Sequence, residues 1–375
     1  MSTCLLRVYD TSVTALLDVR GLTVEVPTTQ GWVRPVNEVS LEIAPGETLG
    51  LVGESGSGKT MLSLALMGLL PAGTRTSGEA WLMRGGVPFG ADRVAQNTKQ
   101  FNVTGQALVP PQSPGVSSEV SRKNLLALTE RQMQSVRGRE IAMVFQEPMT
   151  SLNPVMRVGA QIAEAIRAHD RQLTRAESAA RVLTALERAA VPNPKVRARQ
   201  YPHQLSGGLR QRVMIAMSLA ASPHLLIADE PTTALDVTVQ KQILELLGRL
   251  RHELGLGMLF ITHDLGVVAQ VADQLAVMYA GRIVEHGPAR EVLAQPRHPY
   301  TQGLLSASPR LKRSRLKPIV GNVPRLDALP PGCAFEPRCP LRLPECVAAV
   351  PELRAAALDA QHETSGAHRA RCVLV

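Results

Sequence analysis

The sequence predicts an α/β fold built on a mostly parallel β-sheet. Three short apolar runs, at 48–52, 225–229 and 258–262, have the composition of buried strands. Helical patterns lie between them, and strands that alternate with helices form parallel sheets. A glycine-rich loop follows the first run and precedes an apolar helix at 60–70. These observations predict a layered domain that begins its parallel sheet with a strand, a glycine loop and a helix.

An antiparallel edge and a helical subdomain complete the predicted fold. Alternating apolar residues over 16–42 predict short strands that end at the turn 44–46. Such strands indicate an antiparallel β edge beside the parallel sheet. Helical patterns predict a helical subdomain at 128–136, 159–169 and 174–190. The last of these opens with the capping-box spacing of Thr174 and Glu177.

Changes in composition divide the chain into three parts. We expect an N-terminal tail over 1–15, the main domain over 16–299 and a C-terminal extension over 300–375. The extension is proline-rich and basic, and its cysteines lead us to expect a small cysteine-containing domain. Within the main domain, residues 86–122 are rich in Gln, Asn, Gly, Pro and Ser, with little periodicity. They predict a polar insertion at the surface.

Composition and charge exclude several classes of protein. With 45% hydrophobic and 19% charged residues, the 375-residue chain is neither wholly disordered nor a collagen-like fibre. Five Phe, four Tyr and two Trp argue against a binding surface of stacked rings. The net charge of +9 favours an anionic partner, such as a nucleotide, a nucleic acid or a membrane surface, without selecting one. We expect neither secretion nor a membrane span, because no signal peptide or long apolar run is apparent.

The segment GESGSGKT matches the pattern G-x-x-x-x-G-K-[ST] between a strand and a helix. Its glycines let the backbone curl until N–H groups point at phosphate oxygens, assisted by the positive end of the next helix. Lys59 would neutralise the β- and γ-phosphates of a nucleotide, and Thr60 would offer its hydroxyl to Mg²⁺. We therefore assign nucleotide binding to the whole loop: Gly53, Glu54, Ser55, Gly56, Ser57, Gly58, Lys59 and Thr60.

A second motif, LLIADE at 225–230, is an apolar strand that ends in two carboxylates. Such a strand delivers both acids to the end of a buried sheet, beside the phosphate loop. We predict that Asp229 holds Mg²⁺ and that Glu230 is the general base that polarises the water attacking the γ-phosphorus.

With two further motifs, the chain resembles the ATPase subunits of ABC transporters, which are P-loop NTPases. LSGGLRQR at 205–212 resembles the ABC signature. The resemblance implies that Ser206, Gly207 and Gly208 open a helix that caps the γ-phosphate bound by a partner subunit. It also implies that each ATP lies between the phosphate loop of one subunit and the signature of another, so that a complete site needs two subunits.

The same resemblance gives roles to two polar residues that follow predicted strands. Gln146, in VFQEP, matches the glutamine that senses the γ-phosphate and links to the membrane subunits, and we count it with Thr60 and Asp229 as a Mg²⁺ ligand. His263, in ITHD, matches the catalytic histidine that holds the γ-phosphate and orients the attacking water. ATP binding would close the subunit pair, and hydrolysis would open it.

Three stretches resemble the ATPases of dipeptide, oligopeptide and nickel importers: 145–154, 201–208 and 298–305. The resemblance implies an ATP-hydrolysing subunit for peptide import, peripheral on the cytoplasmic face of the inner membrane. It implies a second homologous ATPase, two transmembrane permeases and an external solute-binding protein. One alternative is an importer of nickel or another small solute. Another is a soluble ABC ATPase acting on nucleic acid or ribosomes, but only the charge supports it, so we expect no nucleic-acid partner.

Four cysteines in the extension have the spacing Cys333-x5-Cys339-x6-Cys346-x25-Cys372. Four thiolates suit either tetrahedral Zn²⁺ or a [4Fe-4S] cluster. Structural zinc sites favour short C-x2-4-C knuckles, which are absent here, so we favour a structural [4Fe-4S] cluster. Zinc and unligated thiols remain open as alternatives.

Overall fold

The computed structural model describes residues 15–29, 31–84, 121–147, 151–233, 235–308, 318–355 and 368–375. Within these ranges the strands are β1 Leu17–Thr28, β2 Gly31–Ile43, β3 Thr48–Val52, β4 Arg75–Arg84, β5 Ser121–Asn124, β6 Ile141–Val144, β7 Leu225–Asp229, β8 Gly257–Thr262, β9 Gln274–Tyr279, β10 Arg282–Pro288, β11 Arg354–Ala355 and β12 Arg369–Ala370. They form a four-stranded sheet, β2-β1-β4-β5, and an eight-stranded sheet, β11-β12-β10-β9-β3-β8-β7-β6.

The eight-stranded sheet confirms the predicted parallel core. Strands β6, β7, β8, β3 and β9 run parallel to one another, whereas β10, β12 and β11 pair antiparallel. All residues of β3, β7 and β8 are buried, as expected for strands covered on both faces. Because the central strands are parallel, their carboxyl ends meet at one edge of the sheet. Ligands bind at this edge in open α/β sheets.

The helices, numbered along the described chain, are α1 Lys59–Leu66, α2 Glu130–Val136, α3 Val158–His169, α4 Arg175–Arg188, α5 Pro194–Arg197, α6 Gly207–Leu219, α7 Val237–Leu254, α8 Leu265–Val271, α9 Ala289–Ala294, α10 Pro299–Ala307 and α11 Glu345–Ala348. The predicted capping box is present at α4, where Glu177 N–H donates to Thr174 Oγ1 and Thr174 N–H donates to the Glu177 carboxylate. Helix α1 ends before the expected residue 70, because Gly68 adopts the left-handed φ of 61°.

Alternate residues of β7 face two different layers. Ile227 belongs to a hydrophobic cluster with Leu62 of α1 and the apolar face of the antiparallel sheet. Leu226 faces the other side and packs in a cluster with Ile215 of α6 and Ile243 of α7. Period-two alternation in the strand thus holds the nucleotide-loop helix on one face and the long helices on the other.

The predicted helical subdomain has a hydrophobic cluster of its own, but the helix expected in it at 128–136 is not part of that cluster. This helix, α2, packs in the main core through Met133 and Val136. Ile162 of α3, Leu186 of α4 and Val213 of α6 are fully or almost fully buried in the subdomain cluster. Since α6 also contributes Ile215 to the main core, this helix joins the subdomain to the sheet.

The polar insertion expected at 86–122 includes two residues at its end that belong to a strand. Ser121 and Arg122 belong to β5, where they pair with Arg84 and Met83 of β4. Strand pairing overrides the polar composition there because the edge of β4 supplies backbone partners. The remainder of the insertion, like almost all of the expected N-terminal tail, lies outside the described residues.

The C-terminal extension packs directly on the main domain. Tyr300 of α10 and Phe335 share a hydrophobic cluster with Val277 of β9. Strand β12 continues the eight-stranded sheet, with Ala370 opposite Glu285 of β10. Residues on both sides of the expected boundary at 300 therefore share one core. Among the described residues, no helix combines the length and the apolar character needed to cross a membrane.

Candidate active site

Four segments with predicted functional residues lie at the carboxyl edge of the parallel sheet. The glycine loop follows β3, Gln146 follows β6, Asp229 ends β7 with Glu230 directly after it, and His263 follows β8. The strand order brings these segments together although they are far apart in the sequence.

Neighbouring backbone segments pack closely against the glycine loop and fix its conformation. A Cβ added to Gly58 would lie 1.9 Å from the carbonyl oxygen of Pro35, and one added to Gly53 would lie 2.2 Å from that of Met278. Gly58 also has a φ of 106°, which L side chains rarely adopt. The N–H of Gly281 donates to the carbonyl oxygen of Ser57 at 2.9 Å. The loop is thereby held in a curled conformation that only glycine permits at these positions.

Lys59 places its ammonium group inside this curl. Its Nζ donates to the carbonyl oxygens of Gly53 at 2.8 Å and Glu54 at 2.9 Å and to Ser57 Oγ at 3.2 Å. The residue is 5% exposed, and burial lowers the pKa of its amine. Phosphate oxygens are stronger acceptors than carbonyls for this ammonium group. Of the other loop residues, Ser55, Gly56 and Thr60 are exposed.

Asp229 has the features of a divalent-cation ligand. It is 2% exposed, and its Oδ1 is buried without a hydrogen-bond partner. Burial raises the pKa of its carboxyl group, and the Thr60 side chain acts on that pKa in the opposite direction. An unpartnered carboxylate oxygen and a hydroxyl are hard oxygen donors, which Mg²⁺ prefers. The residues present therefore fit the cation predicted for Thr60 and Asp229.

Glu230 is the centre of a second polar group. Its Oε2 accepts a hydrogen bond from Gln146 Nε2 at 3.2 Å and lies 3.3 Å from His263 Nδ1. The hydroxyl of Thr233 donates to the same oxygen at 2.8 Å, a contact that the sequence did not indicate. Glu230 has a left-handed φ of 46°, and its N–H donates to the Ile261 carbonyl oxygen at 2.9 Å. The turn after β7 thus aims its carboxylate toward the ends of β6 and β8.

Glu230 and His263 shift each other's pKa. The hydrogen bond from His263 lowers the pKa of Glu230, and the hydrogen bond to Glu230 raises the pKa of His263. Glu230 therefore stays ionised at neutral pH and accepts hydrogen bonds only. A carboxylate in this state is able to act as a general base toward a bound water.

The predicted signature residues occupy the exposed start of α6. Ser206 precedes the helix as its N-cap residue and makes no side-chain capping hydrogen bond. Ser206 and Gly207 are exposed, whereas a Cβ on Gly208 would lie 2.8 Å from Val239 Cγ1. Gly208 thus permits close packing of α6 on α7, and the start of α6 presents free N–H groups to an anion.

The four cysteines of the extension line one cavity, together with Phe335 and His298. All four are free thiols, and Cys333 N–H donates to the Cys346 carbonyl oxygen at 2.8 Å. Burial raises the pKa of the thiols of Cys333, Cys339 and Cys372. Among the residues that the structure describes, no three His, Cys, Asp or Glu side chains are grouped so that they could hold a metal ion.

Comparisons with known proteins give matches to two family models and to solved structures. A family model described as "ABC transporter" matches residues 36–233, and one described as "Oligopeptide/dipeptide transporter, C-terminal region" matches residues 284–346. The dimeric structure of an ATP-binding cassette in a post-hydrolysis state, bound to ADP and Pi, has a TM-score of 0.55 and 24% identity. The match covers 73% of this chain and 99% of that chain.

Relatives with high coverage are peptide-transport proteins. The chain is 47% identical over 348 residues to a putative peptide import ATP-binding protein of Brucella ovis, covering 90% of this chain and 93% of the relative. It is 44% identical over 339 residues to the oligopeptide transport ATP-binding protein OppD of Escherichia coli, covering 90% and 89%. For the dipeptide transport ATP-binding protein DppD of Bacillus subtilis, the identity is 43% over 333 residues, covering 88% of each.

Proposed function

This chain belongs to the ABC transporter family and is an ATPase subunit of its oligopeptide and dipeptide importers; we propose that its carboxyl-edge site hydrolyses Mg-ATP when two such subunits close. The observation that carries this proposal is the grouping of three features at one edge. They are the ammonium of Lys59 inside the glycine loop, the unpartnered Oδ1 of Asp229, and the ionised Glu230 held beside Gln146 and His263.

Phosphate binding is assigned to the whole loop Gly53–Thr60. Its N–H groups and those at the start of α1 would donate hydrogen bonds to the β- and γ-phosphates, and Lys59 would exchange carbonyl acceptors for phosphate oxygens. Thr60, Asp229 and Gln146 would hold Mg²⁺. The bound ion would neutralise negative charge on the phosphate groups.

Glu230 is the proposed general base. Its carboxylate would accept the proton of the water that attacks the γ-phosphorus, while His263 holds the γ-phosphate and orients that water. Gln146 and Thr233 fix the carboxylate by hydrogen bonds at 3.2 and 2.8 Å. Gln146 follows β6 at the surface, where a membrane subunit would sense its position.

The exposed signature supports a site shared by two subunits. Ser206, Gly207 and Gly208 would cap the γ-phosphate on the phosphate loop of a second, homologous ATPase. The dimeric form of a solved cassette with the same fold supports this arrangement. Closure on ATP and opening after hydrolysis would then drive the permeases.

The proposed assembly contains a second homologous ATPase, two transmembrane permeases and an external solute-binding protein. The chain would lie peripherally on the cytoplasmic face of the inner membrane and would bind no nucleic acid. The peptide-transport names of its relatives support this proposal. The test is peptide uptake by the assembled transporter, which should depend on hydrolysable Mg-ATP. Uptake of nickel instead of peptide would assign the chain to a nickel importer.

For the four thiols of the extension, we propose a structural [4Fe-4S] cluster. The thiols surround one cavity, yet no three described side chains are placed to share a single metal ion. The proposal rests on the four thiolates, which a [4Fe-4S] cluster takes as ligands, and on the cysteine spacing, which lacks the short C-x2-4-C knuckles of structural zinc sites. Loading would displace the four thiol protons.

Anaerobic purification should yield a brown protein with equal amounts of iron and acid-labile sulfide. Cys346→Ser should lose most of both, because Cys346 is buried against the shared cavity. Cys4→Ser is the matched control and should retain both. Stoichiometric zinc without sulfide in the wild-type protein would refute the cluster.

A further inference from the structure

Glu54 of the glycine loop is held from the C-terminal part of the chain. Its N–H donates to the hydroxyl of Tyr300 at 2.8 Å. Its two carboxylate oxygens lie 3.2 and 3.0 Å from Nη1 of Arg338. One residue of the proposed phosphate site is therefore fixed by two side chains of the extension, one at the backbone and one at the carboxylate.

Both side chains that contact Glu54 pack in a buried aromatic cluster. The rings of Tyr279, Tyr300 and Phe335 are at most 2% exposed, with centroids 4.6 to 5.3 Å apart. Arg338 Nη1 also donates to the Tyr279 hydroxyl at 3.3 Å. The side chain of Arg338 is 6% exposed and that of Glu54 is 27% exposed, so solvent screens their ion pair only in part. This guanidinium group cannot turn away without breaking several contacts.

Arg338 is also attached to the thiol cavity through its backbone. It ends the 3-10 turn Glu336–Arg338, which lies between two of the four cysteines. Glu336 N–H donates to the Cys333 carbonyl oxygen at 2.9 Å, and Cys339 N–H donates to the Glu336 carbonyl oxygen at 3.1 Å. The cysteine positions therefore set the position of the arginine.

We propose that Arg338 is a positioning residue for the phosphate loop and that it couples the four-cysteine segment to nucleotide binding. This inference rests on the proposed role of the loop Gly53–Thr60 in binding ATP. Disturbance of the thiol segment moves Arg338, releases Glu54 and weakens ATP binding. Because coupling between two sites is reciprocal, bound nucleotide also restrains the thiol segment.

The test compares Arg338→Met with Arg342→Met in the full chain as purified. Arg342 lies in the same cysteine segment, but its side chain is 68% exposed and its nearest carboxylate, on Glu336, is 3.7 Å away. We expect Arg338→Met to raise the Kd of a non-hydrolysable ATP analogue by about tenfold and Arg342→Met to leave it unchanged. Arg338→Lys should recover part of the affinity.

The second readout is the rate at which N-ethylmaleimide labels the four cysteines, followed by mass spectrometry, in protein from which a chelator has removed any bound iron or zinc. The ATP analogue should slow labelling in the wild type and in Arg342→Met, but not in Arg338→Met. If Arg338 acted only in local packing, its substitution would change the labelling rate, but bound nucleotide would still slow labelling.

A folding defect is separated from loss of coupling by Glu54→Gln. This variant removes the charge from the loop side and leaves the cysteine segment intact, and it should abolish the nucleotide effect on labelling as Arg338→Met does. The inference would be overturned if Arg338→Met bound the ATP analogue with wild-type affinity. It would also be overturned if bound nucleotide did not change the labelling rate of the wild type. Failure of the wild-type chain to bind ATP would instead overturn the proposed function.

Discussion

Replacement of Glu230 by glutamine should slow ATP hydrolysis by about 10²- to 10⁴-fold, the usual contribution of a general base. The amide has nearly the shape of the carboxylate, so the turn after β7 and the Thr233 hydrogen bond are retained. It does not accept a proton from water at neutral pH. ATP binding should persist, because Lys59, Thr60 and Asp229 are untouched. Phosphate release and equilibrium binding of ATP measure the two effects separately.

The matched control is Glu253→Gln. Glu253 lies on α7 with 53% of its side chain exposed, and its only close cation in the described ion pairs is Arg249 at 3.7 Å. This variant should hydrolyse ATP at the wild-type rate. Unchanged turnover in Glu230→Gln would remove Glu230 from the role of general base.

Replacement of Lys59 by methionine should lower ATP affinity by about 100-fold. The lost interactions are charge-assisted hydrogen bonds to phosphate, each of about 1.5–3 kcal/mol. About 1.4 kcal/mol corresponds to a tenfold change in affinity, so the loss of even one or two such bonds has this effect. Methionine keeps the apolar stem within the buried loop. Isothermal titration with ATP in the presence of Mg²⁺ measures the change.

Lys241→Met is the control for this substitution, since the Lys241 side chain is 75% exposed on α7. Its ATP affinity and its unfolding temperature should equal those of the wild type. A Lys59→Met variant that is folded and binds ATP normally would refute the assignment of the loop.

The parallel sheet and its loops were predictable because their signals are local. A buried strand such as β7 is a continuous apolar run, and the residues that follow it reach the carboxyl edge in any parallel arrangement. The capping box at Thr174 and Glu177 involves residues three positions apart and formed as predicted. Motif order then placed Gln146, Glu230 and His263 at one edge without knowledge of the tertiary contacts.

Contacts between distant parts of the chain were not predictable. The hydrogen bond from Glu54 to Tyr300 spans 246 positions, and the ion pair of Glu54 with Arg338 spans 284. No periodicity or spacing relates such residues. Strand β12 is only two residues long, too short for an alternating pattern, and it forms because β10 offers an unpaired edge. The close packing of the extension on the main domain was missed for the same reason.

Peptide accumulation in proteoliposomes that contain this chain with its partner ATPase and permeases tests the role of the chain in peptide import most directly. We predict that peptide-loaded binding protein outside the vesicles stimulates hydrolysis of enclosed Mg-ATP and that peptide accumulates in the lumen. Substitution of Glu230 by glutamine in this chain should reduce that accumulation strongly. The proposed role in peptide import would be contradicted if peptide did not change the rate of ATP hydrolysis. It would also be contradicted if nucleic acid or ribosomes raised that rate while no peptide entered the vesicles.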